Sequence, residues 1–313
     1  MEYVELNTKQ KMPALGIGTW KSKKGEVGKA VKIALETGYR HIDCAYAYEN
    51  EDEIGEILKE TFDQGKIKRE DIWITSKLWN IFHDPKDVQP ICEKTIKDLQ
   101  CGYLDLYLMH CPVCFEKREN LELFPRKDEN TMSTVNIPLI ETWHAMEKLV
   151  ELGLVKSIGI SNFTKEKIEE IYEKAKIKPV INQVENHPYL QQEELCQYCR
   201  KNGIQITAYS PLGTSDSKKE EDPSLLQDPV INEIAKKHNV SSAQILIKWQ
   251  IQRGNTVIPK AVKPEHIKDN FDCQNIKLTE EDMKQIATLD RHFRFLNPLN
   301  FWNIDMYGEA NKK

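Results

Sequence analysis

The stretch VKSIGISNFTKEKIEEIYEK, residues 155–174, joins an extended segment to a helical one. Its first part, 155–162, is a largely apolar run, which is typical of a strand buried on both faces. Asn162 and Thr164 then precede a charged segment with helical patterning, and both residue types favour helix starts. The stretch therefore predicts one strand–helix unit, with the polar residues Ser161 and Asn162 where the strand ends.

The same unit recurs along the chain. Eight segments are predicted as strands: 15–20, 41–45, 72–78, 103–110, 155–162, 180–185, 204–210 and 256–260. Eight segments are predicted as helices: 26–37, 51–60, 87–100, 139–152, 165–175, 191–202, 228–238 and 264–270. This alternation predicts an α/β protein, and eight units fit a (β/α)8 TIM barrel better than an open sheet.

Segments outside the repeats also have predicted places. The N-terminal pieces YVELN and KMPAL predict a hairpin that closes the bottom of the barrel. Two connections, 111–138 and 211–227, are too long for simple turns, and we expect them to be functional loops over the C-terminal face. The tail, roughly 291–313, has no further strand to connect. Since no linker interrupts the chain, we expect one domain over residues 1–313.

Composition argues against several classes of protein. The chain has 313 residues, of which 40% are hydrophobic and 30% charged, as in ordinary globular proteins. A formal net charge of −5 gives no reason to expect a nucleic acid or an anionic membrane as partner. The sequence shows neither a run of 18 uncharged apolar residues nor a signal-peptide pattern. We therefore expect a cytoplasmic protein.

Polar residues end most of the predicted strands. They are Asp43, Lys77, His110, Ser161, Asn162, Gln183, Glu185, Tyr209, Ser210 and Lys260. The C-terminal ends of barrel strands converge on one mouth, where such barrels place their chemistry. The sequence therefore predicts an active site at this mouth.

Lys77 allows three interpretations. It could form a structural ion pair with Asp43 below the rim. The same pair, partly desolvated, could instead shift the pKa of a neighbour such as Tyr48. A lysine that ends a barrel strand could also form a Schiff base, which would indicate an aldolase-like lyase. Spacing alone leaves all three open.

Eight stretches together resemble one known family. They are GIGTW (16–20), RHIDCAYAYENE (40–51), ITSKLWN (74–80), LYLMHCP (106–112), LVKSIGISNF (154–163), NQVENHPYLQQ (182–192), ITAYSPLG (206–213) and VIPKAVKPEHIKDN (257–270). In this order and spacing they resemble the aldo-keto reductases, nearest to the aldose, aldehyde and xylose reductase branch. The resemblance implies a monomer that reduces aldehydes to alcohols: aldoses such as xylose or glucose, aliphatic and aromatic aldehydes, and some ketones.

The resemblance implies a catalytic tetrad of Asp43, Tyr48, Lys77 and His110. Tyr48 would donate the proton, although an unperturbed phenol with a pKa of about 10 is a weak acid at neutral pH. We expect the charge of Lys77 to lower the pKa of Tyr48 and Asp43 to hold the ammonium. His110 would orient the carbonyl oxygen. A binding role without turnover is the alternative, because this barrel also occurs as a channel accessory subunit and as a lens protein.

The resemblance also places thirteen residues at a nicotinamide cofactor. They are Thr19, Trp20, Ser161, Asn162, Gln183, Tyr209, Ser210, Leu212, Lys260, Ala261, Val262, His266 and Asn270. Of these, Ser161, Asn162 and Gln183 would hold the carboxamide, and Tyr209 would stack on the ring.

No Rossmann fingerprint is present, because Lys21 stands where G-x-G-x-x-G needs its last glycine. The phosphates are therefore expected against residues 210–212, residues 260–262 and the N-terminus of the helix from Pro264.

Two positions depart from relatives that clamp the 2′-phosphate of NADPH. Those relatives usually carry serine and arginine where this chain has Ala261 and His266. A histidine is the weaker partner and cannot make a bidentate fork. Lys263 is a candidate to compensate. We expect NADPH as the main cofactor and NADH as a secondary one.

The substrate pocket is predicted to be largely aromatic. Its expected walls are Trp20, Tyr48, Trp79, His110 and Cys111, with Phe115, Phe124 and the tail as further candidates. Such rings favour apolar or aromatic aldehydes but also accept the ring faces of sugars. Cys111 stands where aldose reductases commonly carry tryptophan, which should widen the pocket.

The run LYLMHCPVC, residues 106–114, contains ligand types found in zinc sites, redox dithiols and Cys/His nucleophiles. Its place at a strand end favours a role for His110 alone. The second CxxC, 196–199, is too distant for common zinc modules and is expected to be apolar filler on one helix face. We expect no metal and no structural disulfide. We also hypothesise that Cys111 and Cys114 are oxidation-sensitive thiols.

Overall fold

Short strands and helices alternate over residues 1–214 and 221–310, the part of the chain that this computed structural model describes. The strands are β1 (Tyr3–Glu5), β2 (Lys11–Pro13), β3 (Ile17–Gly18), β4 (His41–Asp43), β5 (Trp73–Leu78), β6 (Leu104–Met109), β7 (Cys114–Phe115), β8 (Thr134–Val135), β9 (Val155–Ser161), β10 (Ile181–Glu185), β11 (Gln205–Tyr209) and β12 (Thr256–Val257). The helices are α1 (Val27–Thr37), α2 (Glu51–Asp63), α3 (Pro85–Asp98), α4 (Leu139–Glu151), α5 (Lys165–Tyr172), α6 (Glu193–Lys201), α7 (Pro229–His238), α8 (Ser242–Gln252), α9 (Pro264–Asp272), α10 (Glu280–Ala287) and α11 (Pro298–Phe301).

Eight of the strands form one parallel sheet in the order β3-β4-β5-β6-β9-β10-β11-β12. The sheet closes on itself between its first and last strands. Gly16 N donates to Val257 O at 2.9 Å, and Gly18 N donates to Pro259 O at 3.1 Å. The predicted (β/α)8 barrel is therefore confirmed.

Gly18 permits this closure. A Cβ atom at position 18 would lie 2.8 Å from the main-chain oxygen of Ile258, closer than real Cβ contacts allow. Because glycine has no Cβ, the first barrel strand can approach the last one. Close packing of these two strands therefore explains why residue 18 is glycine.

The predicted N-terminal hairpin is present. Strands β1 and β2 pair antiparallel, with Tyr3 opposite Pro13. Leu6 and Met12 are buried in a cluster that includes Trp73 and Ile181, the first residues of β5 and β10. The hairpin therefore covers the N-terminal end of the barrel.

Two side chains explain where the strand ends and the helix begins within residues 155–174. The Thr164 hydroxyl accepts from Lys167 N at 3.4 Å and caps α5, as expected for a threonine before a helix. Asn162 does not cap the helix. Its φ of 65° turns the chain at the end of β9, and its amide points into a site described below.

Five of the helices and strands described here were absent from the sequence prediction: α8, α10, α11, β7 and β8. Two helices, α7 and α8, connect β11 to β12 where one was expected. Helix α10, the short helix α11 and the β7–β8 hairpin are additional. The prediction of one helix for each strand was therefore wrong for the last connection.

The tail and the first long loop pack on each other. Met132 N donates to Trp302 O at 3.1 Å, and the Arg126 guanidinium donates to Phe301 O at 3.3 Å. Of the second predicted loop, 211–227, residues 215–220 lie outside the described residues. Among the helices described here, none has the length and apolar character needed to cross a membrane.

Candidate active site

A cavity of about 960 Å³ opens at the C-terminal ends of the barrel strands. Its walls include most of the predicted strand-end residues: Asp43, His110, Ser161, Asn162, Gln183, Tyr209, Ser210 and Lys260. The volume is near the upper end of the range found for ligand sites, roughly 300–1,000 Å³. The cavity is therefore large for a small-molecule site.

A buried chain of polar groups leads to the cavity. Lys77 Nζ donates to Asp43 Oδ2 at 2.6 Å, to Cys44 O at 2.7 Å and to the Tyr48 hydroxyl at 3.1 Å. The side chains of Lys77 and Asp43 are 0% and 2% exposed, whereas Tyr48 is half-buried and lines the cavity. The chain thus ends in one hydroxyl that a ligand can reach.

The charge of Lys77 is fixed by these partners. Burial alone would lower the pKa of Lys77, but the Asp43 carboxylate and the Tyr48 oxygen outweigh burial and raise it above its usual value. The second carboxylate oxygen, Asp43 Oδ1, accepts from Gln183 Nε2 at 2.7 Å. Lys77 is therefore a buried cation whose three N–H donors all have acceptors.

The pKa of Tyr48 differs from the prediction. Burial raises it to about 12, although the charge of Lys77 acts in the predicted, lowering direction. The prediction of a net fall was wrong, because the cost of a buried phenolate exceeds the attraction of one ammonium. Tyr48 is thus protonated across the neutral pH range, as a proton donor must be.

His110 lies beside Tyr48 and Trp79, with ring centroids 5.9 Å and 4.9 Å away. Burial, the charge of Lys77 and the nearby His83 hold the pKa of His110 well below its usual value. The imidazole is therefore neutral. Its Nδ1 atom is buried and has no hydrogen-bond partner among the described residues.

Asn162 connects both sides of the cavity. Its Nδ2 donates to His110 O at 2.9 Å and to Ser161 Oγ at 3.1 Å, and its Oδ1 accepts from the Tyr209 hydroxyl at 2.7 Å. Ser161 in turn donates to Gln183 O at 2.9 Å. The four residues predicted to surround a nicotinamide therefore lie together.

The residues predicted for the rest of the cofactor are divided. Those that line the cavity are Thr19, Trp20, Ser210, Leu212, Lys260 and His266, whereas Ala261, Val262 and Asn270 do not. Ser210 has a φ of 48°, a conformation that non-glycine residues adopt rarely and often at binding sites. Helix α9 begins at Pro264, so its N-terminus lies beside Lys260 and His266 in sequence. Such a helix end suits a phosphate.

Aromatic rings form another wall of the cavity. Trp79, Phe124 and Trp302 line it, and the Trp302 ring lies 6.0 Å from Trp79 and 6.4 Å from Phe124. Phe115 was a predicted wall residue but is buried behind Trp79 and Trp302, at 5.8 Å and 5.1 Å. Phe115 therefore supports the wall without forming its surface.

The tail supplies residues that the sequence did not indicate individually. Arg294, Trp302, Met306 and Tyr307 line the cavity. The Tyr307 hydroxyl donates to Asn162 Oδ1 at 3.1 Å, so the tail reaches the predicted nicotinamide residues. The aromatic content of the tail was the only available signal, and it does not specify which rings face inward.

All eight cysteines are free and buried. Cys111 lines the cavity as predicted, and Cys196 and Cys199 are buried on one helix, as expected for filler. Burial raises the pKa of Cys111 to about 12 and that of Cys114 to about 11. These shifts are opposite to those of reactive thiols, which disfavours the hypothesis of oxidation-sensitive cysteines.

Mild peroxide treatment should therefore leave Cys111 and Cys114 unmodified. Thiolates react far faster than thiols, and both groups are held as thiols. Peptide mass spectrometry after treatment checks this, with turnover measured in parallel. Sulfenic acid at Cys111 together with a loss of turnover would contradict it.

Comparisons with known proteins agree with this geometry. A sequence model described as the Aldo/keto reductase family matches residues 14–291. The chain is 48% identical over 301 residues to aldo-keto reductase family 1 member A1 of Gallus gallus, covering 95% of this chain and 91% of that protein. It is 47% identical over 299 residues to the Homo sapiens protein of that name, covering 95% and 91%.

Solved structures of aldose reductases are similar to this chain in both fold and sequence. The aldose reductase from Schistosoma japonicum has a TM-score of 0.92 and 42% identity to this chain, covering 100% of both chains. The aldose reductase from Giardia lamblia has a TM-score of 0.91 and 41% identity, covering 94% of this chain and 98% of that one.

Proposed function

The chain belongs to the aldo/keto reductase family and is an NAD(P)H-dependent oxidoreductase, and from this premise we propose that it reduces aldehydes to alcohols with NADPH, using Tyr48 as proton donor. The substrates include aldoses such as xylose or glucose, aliphatic and aromatic aldehydes, and some ketones. One observation carries the proposal: the buried Asp43–Lys77 pair ends in the Tyr48 hydroxyl on the cavity wall.

When bound, a reduced nicotinamide would supply the hydride that the carbonyl carbon needs. Negative charge develops on the carbonyl oxygen, and the Tyr48 hydroxyl donates its proton there. The phenolate left on Tyr48 is stabilised by the Lys77 ammonium, 3.1 Å away. Asp43 and the Cys44 carbonyl keep that ammonium in place through the proton transfer.

His110 orients the carbonyl oxygen as a neutral donor. A neutral imidazole carries one N–H, and a buried N–H without an acceptor is rarely tolerated. Since Nδ1 is buried and unpartnered among the described residues, the proton belongs on Nε2. From there it can donate to the substrate oxygen beside Tyr48.

The cavity residues fit NADPH in two regions. Asn162, Ser161 and Gln183 offer amide and hydroxyl groups for the carboxamide beside the Tyr209 ring. Lys260 and His266 offer basic groups near the start of α9 for the phosphates. NADH is a secondary cofactor, because His266 cannot make the bidentate contact that arginine makes to a 2′-phosphate.

His266→Arg should increase the preference for NADPH over NADH. An arginine guanidinium is always charged and can make two hydrogen bonds to a phosphate, which predicts a rise of about tenfold in the ratio of kcat/KM values. Steady-state kinetics with both cofactors measure this ratio. The control is His292→Arg, which adds the same charge at a position that is 89% exposed and does not line the cavity. An unchanged ratio in His266→Arg would remove His266 from the 2′-phosphate site.

The eight free cysteines support a reducing, cytoplasmic location. We place the protein there as a monomer, without nucleic acid or membrane partners. Size-exclusion chromatography with light scattering tests the oligomeric state.

The direct test of the proposed function is a carbonyl panel. Purified protein and NADPH are mixed with one carbonyl compound at a time, and NADPH absorbance is followed. The compounds are substituted benzaldehydes, alkyl aldehydes and aldoses. A fall in absorbance with formation of the alcohol is expected. No fall with any carbonyl, despite NADPH binding, would instead support a binding role without turnover.

A further inference from the structure

Glu185 ends β10 but does not face the cavity. Its carboxylate is 0% exposed. Oε1 accepts from Phe295 N at 2.7 Å, and Oε2 accepts from Leu296 N at 3.0 Å. His187 Nε2 also lies 2.9 Å from Oε1. A buried carboxylate of the barrel thus holds two consecutive main-chain N–H groups of the C-terminal tail.

These bonds need an ionised acid. Burial alone would raise the pKa of Glu185, but the contact with His187, the charge of Arg294 and the Phe295 N–H outweigh it and lower the pKa. A carboxylate accepts at both oxygens. A neutral amide would place its own NH2 group against one of the tail N–H donors. Glutamate is therefore the residue type that fixes both Phe295 and Leu296.

The anchored residues lead directly into the substrate wall. Asn297 follows Leu296, and its Oδ1 accepts from Leu299 N at 3.0 Å to cap α11. Trp302 comes immediately after α11 and lines the cavity against Trp79. The position of the Trp302 ring relative to the barrel therefore depends on where Phe295 and Leu296 are held.

We propose that Glu185 is a positioning residue for substrate selectivity, which acts by fixing the tail so that Trp302 completes the aromatic wall. This inference rests on the proposed reductase function. Gln183, on the same strand two residues earlier, lines the cavity beside Asp43. Strand β10 thus contributes to the predicted cofactor site and, through Glu185, to the substrate wall.

The test is Glu185→Gln, assayed with 2-naphthaldehyde and with propanal. Loss of the anchor should raise KM for the bulky aldehyde, which needs the aromatic wall, and leave kcat and KM for propanal within about twofold. The ratio of kcat/KM values should fall about tenfold. Hydrogen exchange at the amides of Phe295 and Leu296 should become faster, because their acceptor is weakened.

Two further variants complete the experiment. Asn297→Ala removes the cap of α11 without changing a barrel strand and should shift the ratio in the same direction. Glu194→Gln makes the same chemical change at an exposed site on α6 and should shift nothing. If the wild type reduces both aldehydes, an unchanged ratio in Glu185→Gln overturns the role of Glu185 and leaves the proposed reductase function standing. An equal loss on both aldehydes also overturns it. Failure of the wild type to consume NADPH overturns the proposed function itself.

Discussion

Tyr48→Phe should lower kcat for aldehyde reduction on the order of 10³-fold, since a positioned general acid typically contributes 10²–10⁴-fold. The substitution removes only the hydroxyl that lies 3.1 Å from Lys77 Nζ, and it leaves the ring on the cavity wall. Affinity for NADPH should stay within about twofold, because the predicted carboxamide partners are other residues. Steady-state kinetics and quenching of tryptophan fluorescence by NADPH measure the two quantities.

The matched control is Tyr46→Phe. Tyr46 lies in the same single turn of 3-10 helix, Tyr46–Tyr48, but packs edge-on against Phe82 and does not line the cavity. Its loss of a hydroxyl should leave kcat unchanged. Retention of most activity by Tyr48→Phe would transfer the role of acid to another group.

Lys77→Met should lower turnover strongly and destabilise the fold. The phenolate of Tyr48 loses its cation, and Asp43 becomes an uncompensated buried charge. Breaking a buried ion pair from one side costs about 3–5 kcal/mol. We expect the free energy of unfolding to fall by about that amount, and kcat to fall on the order of 10³-fold. Urea denaturation followed by circular dichroism measures the first change.

The double variant Asp43→Asn/Lys77→Met separates the two effects. An asparagine removes the stranded charge, and its side-chain oxygen can still accept from Gln183, so stability should recover in part. Activity should not recover, because no cation faces Tyr48. Recovery of turnover in the double variant would show that Lys77 acts through stability alone. Full activity of Lys77→Met would exclude a catalytic role for Lys77, and an unchanged free energy of unfolding would exclude its role in stability.

The barrel was predictable because its strands are buried on both faces and therefore appear as short apolar runs. Helix α8 was not predictable in this way. Its residues 245–251 are all buried, so the helix has no polar face and no amphipathic period. The starts of both α8 and α10 did carry a signal. The Ser241 hydroxyl accepts from Gln244 N, and the Thr279 hydroxyl accepts from Asp282 N. The S-x-x-Q and T-x-x-D spacings of these two capping boxes are visible in the sequence.

The site was predictable as far as strand ends determine it. Asp43, Lys77 and His110 could be placed at one mouth because barrel topology requires it. Tyr48 was a candidate neighbour of Lys77 from its position shortly after Asp43, whereas its role as proton donor came from the family resemblance. Trp302 and Tyr307 could not be placed, because their position depends on how the tail folds back over the barrel. The direction in which the pKa of Tyr48 shifts was also predicted wrongly. Burial causes the rise, and the spacing of residues in the sequence does not show how a side chain is packed.

A single-turnover measurement tests the central claim most directly. Protein saturated with NADPH is mixed rapidly with an aromatic aldehyde, and the decay of NADPH absorbance reports the chemical step without product release. We predict that the wild type consumes one equivalent of cofactor rapidly, and that Tyr48→Phe, equally saturated, does so on the order of 10³-fold more slowly. Decay at the wild-type rate in Tyr48→Phe would contradict the assignment of Tyr48 as the proton donor.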